Sequence, residues 1–319
     1  MFKQLSRCML FIVASSAITI STNANITKSK HLNMLLDDWK LYKFDDKHEA
    51  TKERIKIQSG NHYQHSLWVH LNAQKLVDDS SPYASLIIKL NDRDKHLFAL
   101  AALLHDVGKA GIEEHFEGKN PDLKYDIIID KNRAVSEIRY KFDQALHCQL
   151  GFEQIGGKFF SENEKNFKKR SYILANGKTF NFDAMFKELK VSDTERKLIA
   201  ILIGMHFWFG DLKQGTMTAD QFIEKLQIFV DTVDYNKKAI DLQLLGLSIL
   251  IQIADVCGLS PCKECCTSVI NKTEEIKPVR ETPFVPYKRF GYEVKDNTSD
   301  ALEKMNKLIV YYVKKTLKV

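Results

Sequence analysis

No stretch of this chain makes a comfortable transmembrane helix. The longest early apolar run, Met9 to Ile20, is too short for one. Lys3 and Arg7 precede it and small residues, Thr22 and Ala24, follow it. That order predicts an export signal over residues 1–24, with cleavage before Asn25 and an uncleaved anchor as the alternative. Charge of neither sign dominates. A net +6 suits an anionic substrate but makes no strong case for nucleic acid. Prolines number six; Pro121 marks a loop, and Pro283 and Pro286 mark an extended connector over Glu281 to Thr298. Six cysteines remain to be placed. Cys257, Cys262, Cys265 and Cys266 match no common zinc knuckle, and in an exported chain they suit a disulfide-closed or merely packed loop. Counting Cys148, the mature chain has an odd number, leaving one thiol free or paired between chains.

What the sequence does contain is an ordinary core and surface, with 44% hydrophobic and 28% charged residues. Its organising stretch is LFALAALLHDVGKAGI, Leu97 to Ile112. The uninterrupted apolar run into His105 and Asp106, with Asn91 and Asp92 as caps before it, predicts a buried helix ending near Gly108. An imidazole and a carboxylate at its end need compensation for burial, and a divalent cation supplies it. Lys109, three residues past Asp106, would lie over such a pocket if the helix continues. The competing reading is a lysine salt-bridged near a helix end.

Other histidines and carboxylates fall in similar surroundings. His62 to Leu76 reads as a helix carrying His65 as a candidate ligand, with His62 one turn before it as a supporting group or proton donor. A packing or surface role is the favoured alternative for His62 and, more strongly, for His70. Ser136 to Ile155 is expected to be a helix carrying His147. Ser192 and Glu195 form a capping box for a helix over Asp193 to Phe209, with His206 near its end. A helix from Thr218–Asp220 to Val233 follows. Lys237 to Val256 then reads as a long apolar helix, where the carboxylate of Asp255 would be costly unless paired. His31, His48 and His115 read as solvated. Lys168, Lys169 and Arg170 lie in a basic insertion over Lys158 to Phe182, with a short hairpin at Asn176-Gly177. Asp300 to Val319 reads as a closing helix with one apolar face.

The ordered set His65, His105–Asp106 and Asp255 resembles that of the HD family of metal-dependent phosphohydrolases. The likeness runs from about Gly60 to Cys266. HDVGKAGI and HCQLGFEQIGG are similar to the HD-GYP branch, although Cys148 stands where that branch has proline. At His206 the branch has two histidines in succession, and here Phe207 takes the second place. FWFGDLKQG replaces the branch's GYP signature.

The resemblance implies an all-α HD bundle with a basic insertion and a C-terminal helix. It divides the chain into 1–24 signal peptide, 25–59 helical extension, 60–270 HD phosphohydrolase domain and 271–319 connector and closing helix. It implies one or two divalent metal ions, with Mn, Fe or Zn favoured over Mg by the histidines. Asp106 would bridge them, His65, His105 and Asp255 completing one site and His147 and His206 the other. Asp106 and Lys109 would be catalytic, and Lys109 and His62 would meet a substrate. The expected activity is hydrolysis of a nucleotide-like phosphate ester by metal-activated water. A catalytically degenerate HD domain that binds a nucleotide or metal as a sensor or interaction module is the alternative. The expected partner is a phosphorylated small molecule, and the expected location is periplasmic or secreted.

Overall fold

The computed structural model describes residues 29–44, 61–78, 90–111, 125–129, 135–140, 146–160, 171–235, 240–257, 307 and 311. The expected export signal, the Lys168–Arg170 cluster, Cys262, Cys265, Cys266, the proline-bearing connector and most of the closing helix lie outside them.

The middle of the fold is α3, Asp92–Leu104, whose every residue from Leu97 to Leu104 is buried. Such a helix needs neighbours on all sides, and three supply them: α2 (His62–Leu76), α6 (Asp193–Met205) and α9 (Leu242–Cys257). A further helix, α4 (Leu146–Gly156), packs across α6 and against the short 3-10 turn Val107–Lys109 that follows α3. Helices α5 (Phe182–Glu188), α7 (Trp208–Gln214) and α8 (Ala219–Thr232) complete this side of the bundle. At the N-terminal side, α1 (Lys30–Trp39) packs on α5 and α2.

Local chemistry explains where these helices start. Asn61, Asn91 and Asn181 cap α2, α3 and α5 by accepting backbone N–H bonds. Ser192–Glu195 and Thr218–Gln221 form complete capping boxes at α6 and α8. Among the described residues no helix is long and apolar enough to cross a membrane.

The architecture is all-α, as expected, with one small sheet added. Strands β1 (Tyr42–Phe44), β2 (Tyr125–Ile129) and β3 (Val135–Tyr140) run in the order β1-β3-β2. β1 is parallel to β3, with Tyr42 opposite Ile138, and β2 is antiparallel to it. This corrects the helix expected over Ser136 to Ile155, of which only α4 is helical. Val135, Ile138 and Tyr140 suit a pleated surface, and three consecutive isoleucines in β2 provide the partner.

Two helix ends also differ from expectation. α3 stops at Leu104 and passes into the 3-10 turn, and α6 stops at Met205 rather than continuing to Phe209. Side chains take up the freed carbonyls there: His105 on Ala102, His206 on Ile203, and Trp208 on Gly204. The hairpin expected at Asn176-Gly177 is present, with Ile173 bridged to Thr179 and Gly177 at φ +80°.

Candidate metal centre

The ends of α3, α6 and α9 meet the first turn of α2 and the start of α4, and this convergence gathers six polar side chains. His65, His105, Asp106, His147 and His206 are all at most 3% exposed. Asp255, on the last helix, has a side chain that is 20% exposed.

Two groups can be distinguished around one carboxylate. In the first, His65 Nε2 lies 3.2 Å from His105 Nε2 and 3.0 Å from Asp255 Oδ1. Asp106 Oδ2 is 3.3 Å from His105 Nε2 and 3.5 Å from His65 Nε2, and Asp255 Oδ1 is 3.3 Å from His105 Nε2. In the second, His147 Nε2 lies 2.9 Å from His206 Nε2. The other oxygen of Asp106, Oδ1, faces these rings at 3.3 Å and 3.5 Å. Asp106 therefore directs one oxygen to each histidine pair.

The tautomers suit cation binding. His105 Nδ1 donates to the Ala102 carbonyl at 2.8 Å, and His206 Nδ1 donates to the Ile203 carbonyl at 2.6 Å. Each donation commits Nδ1 to the backbone and turns Nε2 into the cluster, the atom that a metal ion would take. Asp106 Oδ1 is buried and makes no hydrogen bond of ordinary geometry, an arrangement that burial penalises unless a cation compensates it. Imidazole nitrogens and carboxylate oxygens are the donors that divalent transition metals take. The residues present fit such ions.

Electrostatics point the same way. Burial alone would raise the pKa of Asp106, but His105 and Lys109 beside it hold it well below the usual carboxylate range. Burial likewise opposes ionisation of Asp255, and His105 and His65 overcome it. For His105 burial disfavours the charged ring, yet the two carboxylates lift its pKa to about 9. Burial depresses His65 despite its bond to Asp255. Fixed negative charge here thus draws in a compensating positive one, a place that a metal ion would take by displacing protons.

Lys109 is buried and places Nζ 2.5 Å from Asp106 Oδ2. The 3-10 turn, rather than a continued α-helix, brings it there. His62 has no exposed surface and sits edge-on to Trp39 at 4.3 Å between centroids. Among the described residues neither of its ring nitrogens has a hydrogen-bond partner, and burial pushes its pKa well below the ordinary value, leaving a neutral ring. His70 is a packing residue whose Nδ1 meets the Ala99 carbonyl at 2.7 Å. His31 pairs with Glu188 on α5 at 2.7 Å.

One group at the cluster was not singled out as a donor from the sequence. Cys148 is fully buried, with Sγ 3.6 Å from His147 Nε2 and 3.7 Å from His206 Nε2. Its adjacency to His147 was the available signal, but adjacent helical side chains normally diverge by about 100°. Burial, reinforced by the charge of Asp106, pushes its thiol pKa well up.

Residues 62–201 match the family model of the HD domain. The chain carries an HD domain. HD domains are generally metal-dependent hydrolases that bind divalent metals. No curated protein and no solved structure matches the chain significantly. The HD match ends before His206 and Asp255, which reach the cluster from the end of α6 and from α9.

Proposed function

We propose that this HD domain is a two-metal hydrolase of a nucleotide-like phosphate ester. The observation that carries the reading is the division of Asp106, whose two oxygens face separate histidine pairs. His65, His105 and Asp255 would hold one ion, His147 and His206 the other, and Asp106 both. Divalent ions held in this way acidify water at neutral pH and neutralise phosphate oxygens.

The chain's own groups do the rest. Burial of the histidines and Asp106 keeps competing water away from them. The Nδ1 bonds of His105 and His206 fix both rings before any ligand arrives. Lys109, held beside Asp106, would offer its ammonium to a phosphoryl oxygen or give a proton to the leaving alkoxide. We assign His62, which has no exposed surface, to packing against Trp39 rather than to substrate. No protein nucleophile is required.

The test begins with metal content of the purified protein and of Asp106→Ala, after supply of Mn, Fe or Zn. A pair of transition metals per chain, lost in the variant, is the expected result. Phosphate mono- and diesters, including cyclic dinucleotides, are then screened with both proteins. Lys109→Ala should retain metal and lose about a hundredfold or more in turnover. Failure to bind any metal would sink the proposal.

A further inference from the structure

We propose that the thiolate of Cys148 is a further protein ligand in the half of the centre formed by His147 and His206, making that half a soft, zinc- or cobalt-preferring site. The proposal rests on the two-metal reading above but concerns a donor that the HD resemblance does not provide.

The argument is geometric. A tetrahedral ion with metal–sulfur bonds of about 2.3 Å and metal–nitrogen bonds of about 2.05 Å needs sulfur–nitrogen edges of about 3.6 Å and nitrogen–nitrogen edges of about 3.4 Å. Cys148 Sγ lies 3.6 Å and 3.7 Å from the two Nε2 atoms. Asp106 Oδ1 lies 3.3 Å and 3.5 Å from the same two atoms. The His147–His206 edge, at 2.9 Å, is shorter, and a cation between the rings would spread it. Three further facts indicate a ligand rather than a core thiol. Asp106 Oδ1 is buried without a hydrogen bond, His206 Nε2 presents a lone pair because Nδ1 is committed to Ile203, and Phe207 beside it offers no donor atom.

The chemistry of the two halves then differs. The first offers two imidazoles and two carboxylates, a set open to Mn or Fe. The second offers two imidazoles, one carboxylate oxygen and a sulfur, which selects softer ions. On binding, the Cys148 S–H bond breaks, its proton leaves to solvent, and the sulfur lone pair forms the bond to the metal.

The probe is Co(II), added to the full-length protein stripped of metal, with absorption and bound cobalt measured together. The expected result is a thiolate-to-cobalt charge-transfer band in the wild type. The same band should persist in a variant carrying Cys257→Ser, Cys262→Ser, Cys265→Ser and Cys266→Ser, and vanish in Cys148→Ser and Cys148→Ala. Zinc titration should show both Cys148 variants losing tight binding of one ion of the pair. Cobalt bound by the wild type without the band would overturn the thiolate ligand and leave the two-metal reading standing. A band surviving in Cys148→Ala would also overturn it, placing the thiolate elsewhere. No cobalt or zinc bound at all would overturn both.

Discussion

Two buried groups outside the cluster titrate in opposite senses, and each can be read by substitution. His70 is buried between α2 and α3, and burial outweighs its bond to the Ala99 carbonyl to depress its pKa from 6.5 to about 4. The unfolded chain takes up this proton below pH 6.5, whereas the folded one resists until about pH 4. Stability should therefore fall as pH drops through that window, by roughly 3 kcal/mol at most. Asp38 behaves conversely. Burial lifts its pKa from 3.8 to about 6 against the opposing bond from Ala175 N. Its contribution is full below pH 3.8 and disappears as pH rises through about 6. Urea unfolding across pH 4 to 7 should show a smaller acid loss in His70→Gln and a smaller loss on raising pH in Asp38→Asn. Curves parallel to wild type would show that neither residue carries the linkage.

At the scale of elements, the decisive contact is between the 3-10 turn after α3 and α4. A Cβ at Gly108 would fall on the His147 carbonyl and lie 2.5 Å from Gly151 N. This close approach sets His147 opposite Asp106. Gly108→Ala should cost about 3 kcal/mol and also lower metal content, because the turn must move away from α4. Gly215→Ala, strained at φ +76° but with open space around it, should cost about 1 kcal/mol and leave metal content unchanged. Denaturant midpoints and metal analysis on both variants distinguish the effects. Much of this arrangement was legible beforehand. α2 was expected over His62 to Leu76 and is observed there, the Ser192–Glu195 capping box announced α6, and Thr218–Asp220 marked the start of α8. The remainder was hidden because it depends on partners distant in the chain. β3 is strand because β1 and β2 pair with it, and α6 ends at Met205 because His206 turns back to a carbonyl while reaching the cluster. The approach of Cys148 to both histidine rings depends on how α4 crosses α6, which periodicity does not encode.

For the molecule as a whole, residues 29–44, which precede the HD match, belong to the same core. Trp39 is fully buried, donates Nε1–H to Tyr172 Oη at 2.7 Å, and meets the His62 ring. Ser29 and His31 join α1 to Glu188 on α5. Trp39→Ala should lose about 3–5 kcal/mol by calorimetry or denaturant, and Trp39→Phe, which forfeits mainly the indole bond, about 1 kcal/mol. Equal small losses would mean that α1 is an ornament rather than part of the bundle.

The order of the converging residues along the chain has a consequence for how the protein is made. Donors from α2, α3, α4 and α6 are synthesised well before Asp255, which lies in the last turn of α9 and is the most exposed of the six. A chain ending before α9 would hold His147, His206 and Asp106, whereas the His65–His105 pair would have Asp106 Oδ2 but not its second carboxylate, Asp255. On the two-metal reading, every donor of the His147–His206 half precedes α9 in the chain, and only the other half waits for Asp255.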